Sequence, residues 1–498
     1  MDKYGVLDII KDKTLTYEQK VLSLARAAEN SLDVLKIDSE TQEYRDKGII
    51  CDLFEGAAPY RPRYILADFE KFLKKGSKFL RLTPPKNIWE ACNNLLIFYH
   101  NIPSITSYPV YIGNLDTLLE PFVDDLKEAR EAIRLFLINI DRTITDSFCH
   151  ANIGPNKTKA GQIILELEQE LSNAVPNITL KFGKQTPTDF ALLAIQTAMK
   201  VAKPSFANNA MFADDWTHDY GIASCYNGLS IGGGSYTLVR LNFGRLLPLI
   251  KSEKQLLDEL LPNVVEKMVN YMDERIAFLV EKSNFFETSF LVSEGFIDRK
   301  NFSAMFGIVG LAECVNFITK ASSLNEKFGH NKEANELGLR IVKRLESLVK
   351  SHKNIYLEAT KGHYCLHAQV GIDTDIGISP GCRIPIGDEP EIHEHLIQSA
   401  KFHPFFPSGI GDIFSFDSTS NKNPEYILDI IKGAFDDNMR YFSLYSSDCD
   451  VIRITGYLVK KSDIEKLEKG EQVLHDTVVL GYGAVKNQHV LDREVRKN

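Results

Sequence analysis

The sequence predicts an α/β protein in which helices enclose most of a sheet. A strand-like stretch at 103–113 precedes an amphipathic helix at about 115–139, and a helix at 157–173 precedes a short strand at 177–182. A hydroxyl-and-proline start signal at 186–190 then opens another helix. Repeated strand-then-helix units of this kind are typical of α/β architecture.

The remaining elements are predicted from the spacing of apolar residues and from prolines that interrupt helices. Leu24, Ala28 and Leu32 recur at helical spacing near the start of the chain, whereas the prolines within 48–69 prevent one continuous helix there. Further predicted elements are helices at 6–45, 86–101, 327–352, 425–435 and 461–469, a strand at 439–445, and a strand-like segment at 477–483.

Composition and charge exclude several classes of protein. The 498 residues are 44% hydrophobic and 25% charged, which is enough chain for one large core or for two or three domains. The net charge of −9 argues against a protein whose main partner is nucleic acid or an anionic membrane. No apolar run reaches the ~18 residues of a membrane helix, and the start has no apolar signal region. We therefore expect a cytoplasmic protein.

The eight cysteines are scattered, and no Cys-x-x-Cys pair occurs. This pattern indicates neither a disulfide framework nor a zinc ribbon, so most of them are predicted to be buried thiols. Arg61 and Arg63 have two interpretations, an anion-binding pair or a solvated loop with two arginines, and the second is favoured.

A glycine interrupts a β-rich run near the C-terminus, in Arg453-Ile454-Thr455-Gly456-Tyr457. Glycine inside a strand pattern usually marks a bulge, a turn or a close backbone approach. A second interpretation uses its Cα hydrogens, because a radical at Cα is delocalised over both flanking amides and is least hindered where no side chain exists. The stretch closely resembles the Arg-Val-x-Gly-Tyr signature of glycyl radical enzymes.

A cysteine lies in a second motif, the Gly/Ser/Asn-rich stretch 221–245, where a strand ends in Asn242-Phe-Gly-Arg. Gly232-Gly233-Gly234 lacks the lysine and Ser/Thr of a phosphate loop, so a hairpin tip is favoured there. The stretch resembles the cysteine loop of class III (anaerobic) ribonucleotide reductases. That resemblance assigns the transient thiyl radical to Cys225.

The two motifs stand in the order and local structure that radical chemistry requires. A thiol S–H bond and a glycine Cα–H bond are close in strength, so hydrogen transfer between them is nearly thermoneutral. We therefore predict that Gly456 stores the radical, that Cys225 uses it, and that the two residues lie within a few ångströms of each other. Residues 301–314 resemble a segment of the same reductases, and a glycine-rich strand-to-helix junction is favoured for all of it except Glu313.

The region 354–390 supplies lower-ranked candidates for substrate binding. On a strand, His363, Cys365 and His367 would share one face. They could hold a metal, but ligands at i, i+2 and i+4 span ~13 Å, so a polar wall is favoured and no metal is predicted. Cys382 and Asn242 complete the candidate set, with Cys365 and Cys382 as possible second thiols.

The chain differs from several known branches of glycyl radical enzymes, and these differences indicate which branch it resembles most. Pyruvate formate-lyase has two adjacent cysteines, but Cys225 is flanked by Ser224 and Tyr226, and the diol-dehydratase branch has a glutamate base where Asn227 stands. Class III ribonucleotide reductases carry four zinc-binding cysteines before the glycine, and only Cys449 precedes Gly456 closely. Over its whole length the chain is most similar to the YjjI-type glycyl radical proteins.

The resemblance implies a ten-stranded α/β barrel with the cysteine and glycyl radical loops inside and helices outside. It also implies a catalytic core at 1–430, a C-terminal radical domain at 431–498 that moves outward for activation, and activation by a radical S-adenosylmethionine enzyme. We expect an oxygen-sensitive homodimer that acts on a small molecule, with no bound cofactor beyond the radical. The reaction stays open between a ribonucleotide-reductase-like reduction and a radical lyase reaction, and a silent binding module or a radical spare-part protein is the alternative.

Overall fold

A computed structural model of the chain describes residues 5–497 except 54, 57, 103, 105, 106, 217, 218, 369 and 370. The strands are Ile50–Cys51 (β1), Tyr64–Leu66 (β2), His150–Ile153 (β3), Asn177–Phe182 (β4), Ser205–Asn208 (β5), Tyr220–Ala223 (β6), Asn227–Ser230 (β7), Gly233–Asn242 (β8), Phe302–Val309 (β9), Cys365–Ala368 (β10), Asp412–Phe416 (β11), Tyr441–Ser446 (β12), Val451–Arg453 (β13), Leu458–Lys460 (β14) and Val495–Arg496 (β15).

Helices separate most of the strands. They are Val6–Lys11 (α1), Tyr17–Asn30 (α2), Ser39–Asp46 (α3), Phe69–Lys75 (α4), Ile88–Tyr99 (α5), Leu115–Leu119 (α6), Leu126–Thr143 (α7), Lys159–Leu171 (α8), Thr188–Val201 (α9), Asn209–Asp215 (α10), Phe243–Leu246 (α11), Glu253–Gln255 (α12), Leu261–Glu281 (α13), Phe285–Thr288 (α14), Phe290–Ser293 (α15), Leu311–Thr319 (α16), Lys332–Ser351 (α17), Ile392–Ala400 (α18), Pro424–Asp436 (α19), Lys461–Glu468 (α20) and Asp476–Asn487 (α21). None of those in the described part of the chain combines the length and apolar character needed to cross a bilayer.

Eleven of the fifteen described strands form two mixed sheets, which confirms the α/β prediction, and the pairs β6–β7 and β13–β14 form two small sheets. One has the order β1-β8-β9-β10 with β2 also paired to β8, and the other has the order β15-β11-β12-β5-β4-β3. Strand β9 is buried along its whole length, as expected for a parallel strand with both faces covered.

The ten-stranded barrel is not confirmed, because among the described strands neither sheet closes on itself or pairs with the other. The hairpin β6–β7 forms its own two-stranded sheet and contacts strands of both larger sheets, β3 and β8.

Two predicted strands are wrong. Residues 107–113 form no strand, although Ile112 N donates to His150 O of β3 at 2.9 Å. The backbone bends at Ser107, and Pro109 lacks an N–H for a ladder. Pro103, Ile105 and Thr106 lie outside the described residues.

The strand-like segment at 477–483 is part of helix α21. Its buried residues Val478, Gly481 and Val485 recur at helical spacing, and tertiary packing of this face overrides the preference of the valines for strands. The predicted helices near 86–101, 157–173, 327–352, 425–435 and 461–469 are confirmed within a few residues. The long helix predicted at about 115–139 is instead divided into α6 and α7, because the chain turns at Pro121 and Asp125 starts a new helix by accepting from Lys127 N and Glu128 N.

Most buried apolar side chains form one core between the sheets and the helices. A second, smaller cluster contains Tyr445, Val451, Leu458, Val478 and Val485, all from the C-terminal part of the chain. The cluster also includes Ala202 and Ile413, so the residues after β12 pack through it onto the end of α9 and onto β11 and β12.

Candidate active site

Cys225 lies at the tip of the hairpin β6–β7. The three tip residues are Ser224, Cys225 and Tyr226, and Ser224 takes a positive φ of 57° to close the turn. Asn152 of β3 fixes the hairpin, because its side chain donates to Ile222 O at 2.9 Å and accepts from Ile222 N at 2.7 Å. The predicted hairpin placement of the cysteine is confirmed.

Gly456 lies in the loop between β13 and β14 and touches the cysteine. A methyl group added at Gly456 would lie 2.7 Å from Cys225 Sγ and 2.9 Å from Cys225 Cα. Only 4% of Cys225 is exposed, so the contact is shielded from solvent. The predicted closeness of the two residues, 231 positions apart in sequence, is present, and their catalytic roles stay predictions.

One asparagine holds the glycine loop against the sheet. Asn177 of β4 donates from Nδ2 to Gly456 O at 2.9 Å and accepts at Oδ1 from Arg453 Nη2, also at 2.9 Å. Arg453 Nε donates to Ala202 O at 2.7 Å. The arginine of the Arg-Ile-Thr-Gly-Tyr motif thus holds the loop in place through hydrogen bonds to Asn177 and to the backbone of Ala202.

The C-terminal tail holds the other side of the loop. Arg493 donates to Arg453 O at 3.1 Å and to Ile454 O at 3.2 Å. Strand β15 then continues the sheet beside β11. The tail therefore ties the glycine loop to the same sheet that carries Asn177.

Burial keeps the cysteine protonated. It raises the pKa of the Cys225 thiol to about 12, against weaker lowering effects of Ser224 and of Arg63, Arg383 and Arg453. A thiolate is the nucleophilic form of cysteine. A neutral S–H suits hydrogen-atom transfer, so this environment favours radical chemistry over nucleophilic chemistry.

A neutral histidine supports the hairpin tip. His150 is fully buried, with Nδ1 2.7 Å from Ser224 O and Nε2 2.7 Å from Thr179 Oγ1. Because a carbonyl oxygen only accepts, Nδ1 carries the hydrogen and Nε2 accepts from the Thr179 hydroxyl. Tyr441 OH lies 2.7 Å from that hydroxyl and donates to Cys225 O at 3.3 Å.

This histidine predicts acid sensitivity. Burial lowers the pKa of His150 to about 3 from an ordinary value of 6.5, so the unfolded chain binds the proton first as the pH falls. From pH 6.5 to 5.5, this group alone should remove about 1 kcal/mol of unfolding free energy. Chemical denaturation of His150→Gln should show a pH dependence smaller by that amount. The exposed His100→Gln is the control, and equal pH dependence in His150→Gln and the wild type would contradict the prediction.

Among the lower-ranked candidates, His367 lies nearest to the hairpin tip. Its ring centroid is 5.8 Å from that of Tyr226, and Tyr226 OH donates to Ala368 O at 2.7 Å. Cys365 is buried on the same strand, β10, and burial raises its pKa to about 12. The strand β10 therefore runs beside Tyr226, and the substrate-binding role of both residues stays a prediction.

The other three candidates lie apart from one another. Cys382 is buried and follows Gly381, where an added methyl would meet Ala368. His363 precedes β10. Asn242 caps α11, because its side chain accepts a hydrogen bond from Arg245 N at 3.1 Å. This contact is structural, and its substrate-binding role stays a prediction.

Two other sequence hypotheses resolve in the structure. The favoured solvated loop at Arg61 and Arg63 is wrong, because their side chains are only 11% and 10% exposed. They pair with carboxylates, at 3.4 Å to Glu29 and 2.5 Å to Glu55. Glu313 accepts from the hydroxyl and backbone N–H of Ser379.

The residues that sequence reasoning missed are Asn177, His150, Tyr441 and Arg383. Arg383 Nε donates to Gly411 O at 2.7 Å, and its guanidinium carbon lies 5.7 Å from the centroid of the Tyr226 ring. None of the four belongs to a motif, and only folding brings them to the hairpin tip.

Two surface clefts lie elsewhere. They have volumes of about 780 and 240 Å³ and share Asp68, Ile231 and Asn301 in their linings. Ile231 follows β7 directly, so both clefts lie at the base of the cysteine hairpin and not at its tip. The contact between Cys225 and Gly456 marks the candidate active site more directly than either cleft does.

Comparison with known proteins agrees with this geometry. The family model described as "Glycyl radical enzyme YjjI-like" matches residues 15–496. An uncharacterised protein of Haemophilus influenzae is 46% identical over 498 residues, which covers 99% of this chain and 97% of that protein.

Two solved structures have similar folds at low sequence identity. Hydroxyproline dehydratase from Clostridioides difficile, with trans-4-hydroxy-L-proline bound, gives a TM-score of 0.69 at 13% identity over 99% of this chain and 88% of its own. Anaerobic ribonucleotide reductase from Thermotoga maritima, in complex with dATP and CTP, gives 0.68 at 13% identity over 93% and 88%. At this identity, the likeness supports the fold alone.

Proposed function

We propose, because this chain belongs to the YjjI-like family of glycyl radical enzymes, that Gly456 stores an organic radical and that Cys225 uses it to start catalysis. The observation that carries the proposal is the contact between the two residues, in which an added Gly456 methyl would lie 2.7 Å from Cys225 Sγ. The protonated state of the thiol supports it further.

The proposed cycle moves one hydrogen atom at a time. The Gly456 radical takes the hydrogen atom of the Cys225 S–H bond, which leaves a thiyl radical on sulfur. The thiyl radical takes a hydrogen atom from a substrate C–H bond, and the product radical later takes that hydrogen back. Cys225 then takes a hydrogen atom from Gly456 Cα, so the radical is regenerated and no net hydrogen is lost.

The substrate and the reaction type remain open between a reductase and a lyase. Asn227 stands two residues after Cys225, and its amide cannot act as a base. Both polar atoms of that amide are buried without a hydrogen-bond partner among the described residues, which favours a polar ligand beside the cysteine. The chain has its own cysteine hairpin, which argues against a radical spare-part protein.

Activation requires access to a buried glycine. We propose that a radical S-adenosylmethionine enzyme removes the Gly456 hydrogen after the C-terminal part moves outward, within the predicted domain 431–498. Strand β12 is central in its sheet, and most apolar residues after it lie in the smaller of the two clusters, so we place the start of the moving part after β12. We also propose that strands of the two larger sheets together form a ten-stranded barrel. The protein is further proposed to be a homodimer and to be cytoplasmic.

Oxygen tests the proposal directly. Dioxygen adds to a glycyl radical and cuts the backbone there, so activated protein exposed to air should lose residues 457–498 as a separate fragment. Mass spectrometry of the two fragments locates the cut. Protein that was never activated is the control and should stay intact in air. Activated, radical-bearing protein that stays intact after aeration would contradict the assignment of the radical to Gly456.

A further inference from the structure

Three arginines near the contact between Cys225 and Gly456 have no acidic partner within 4.0 Å among the described residues: Arg383, Arg453 and Arg493. Only 1% of Arg453 and 7% of Arg493 are exposed, and Arg383 is partly buried. Positive charge that is buried without a counter-charge is costly. The site therefore has an excess of positive charge inside a chain whose net charge is −9.

Most other buried arginines of this protein pair with carboxylates. Arg240 binds Asp375 at 2.7 Å, and Glu55 lies between Arg63 and Arg275. Arg496 is the exception, because it bonds Pro390 O and lies beside His395 instead. Three such arginines occur together only near Cys225 and Gly456 among the described residues.

Two of the three arginines without an acidic partner form hydrogen bonds that hold the glycine loop. Arg453 bonds Asn177 and Ala202, and Arg493 bonds two carbonyls of the glycine loop. Asp412 interacts electrostatically with Arg383. Its carboxylate already accepts a hydrogen bond from Ser399 Oγ at 2.6 Å and lies 3.4 Å from His395 Nε2. Arg383 is the group left with capacity for a ligand.

The geometry of Arg383 fits a ligand site. Its Nη2 is buried and has no hydrogen-bond partner among the described residues, and a buried donor without an acceptor is unfavourable. Its Nε is fixed by Gly411 O, and Gly411 packs against Tyr226, where an added methyl would lie 3.2 Å from the ring. The guanidinium is therefore held in one orientation beside the residue that follows Cys225.

We infer that Arg383 binds an oxyanion of the substrate, so that the substrate is a small organic anion with a carboxylate or a phosphate near the C–H bond that Cys225 attacks. A guanidinium pairs with both groups through parallel N–H bonds. The inference rests on the proposed function, because it takes Cys225 as the reacting group. A neutral substrate would leave Asp412, which is also engaged by Ser399 and His395, as the carboxylate that offsets this charge.

The experiment measures binding to the full, unactivated chain and needs no radical. The probes are two matched pairs at equal ionic strength: glycerol 3-phosphate with glycerol, and lactate with propane-1,2-diol. One anion should raise the melting temperature of the wild type above the effect of its neutral partner, and the pair that responds separates phosphate from carboxylate. If neither anion exceeds its neutral partner, the inference is wrong.

Variants connect the effect to Arg383. Arg383→Gln should weaken anion binding in calorimetry by roughly tenfold or more, since a charged hydrogen bond is lost. Arg340→Gln, which removes only a surface pair with Glu253, is the matched control and should bind as the wild type does. Wild-type affinity in Arg383→Gln would overturn the inference.

Arg383→Lys decides the question if Arg383→Gln does not fold. Lysine keeps the positive charge but lacks the paired N–H donors of the guanidinium. This variant should therefore bind the anion more weakly than the wild type and still prefer it to the neutral partner. Loss of that preference would contradict the inference. Anion binding that depends on Arg383 supports the inference even if Gly456 never carries a radical. Absence of such binding overturns it even if the radical forms.

Discussion

Cys225→Ser protein, activated anaerobically in D₂O, should hold a radical at Gly456 that keeps its α hydrogen. That hydrogen splits the electron paramagnetic resonance signal of a glycyl radical into a doublet. In the wild type, the Cys225 thiol exchanges to S–D with solvent and passes deuterium to Gly456 by reversible transfer across the contact. The wild-type doublet should therefore collapse, whereas the serine variant should keep it, because an O–H bond is too strong to take part.

This measurement needs no knowledge of the substrate. Cys365→Ser and Cys382→Ser are the matched controls, since both thiols are also buried but the three atoms nearest to an added Gly456 methyl all belong to Cys225, and both variants should exchange as the wild type does. Once a substrate is found, Cys225→Ser should retain the radical and lose all turnover. A collapsed doublet in Cys225→Ser, or turnover by it, would refute the role of Cys225.

The two reacting residues could be predicted because each lies in a local motif that radical chemistry constrains. A cysteine in a Gly/Ser/Asn-rich hairpin and a glycine in a β-rich run both carry their signal within a few neighbouring positions. Asn177, which binds Gly456 O, is 279 positions away from it and carries no such signal. Long-range partners of this kind depend on the packing of the sheet and not on a local pattern.

Helix α21 shows why one local prediction was wrong. Residues 477–483 contain valines and two glycines, a pattern that predicts a strand. In the fold, Gly481 faces the glycine loop, and an added methyl would lie 2.7 Å from Ile454 Cδ1 and 2.9 Å from Tyr457. The glycine serves close helix packing next to the radical site, which the sequence alone does not reveal.

Gly456→Ala should abolish the radical signal and turnover and should also destabilise the folded protein. The added methyl would collide with Cys225, and Asn177 and Arg493 hold the loop from two sides so that it cannot withdraw. Overpacking of this kind typically costs about 1–3 kcal/mol. Chemical denaturation of the unactivated protein measures that loss, and paramagnetic resonance after the activation procedure measures the radical.

The chain contains its own control for this substitution. Gly433 lies exposed in α19, and an added methyl there would meet nothing within 4 Å. Gly433→Ala should therefore raise the unfolding free energy by about 0.5–1 kcal/mol, because alanine favours a helix over glycine, and should keep the radical. If Gly456→Ala matches Gly433→Ala in stability, the glycine loop is not packed against Cys225 as the structure places it. If Gly456→Ala still carries a radical, another residue stores it, and the assignment to Gly456 is wrong.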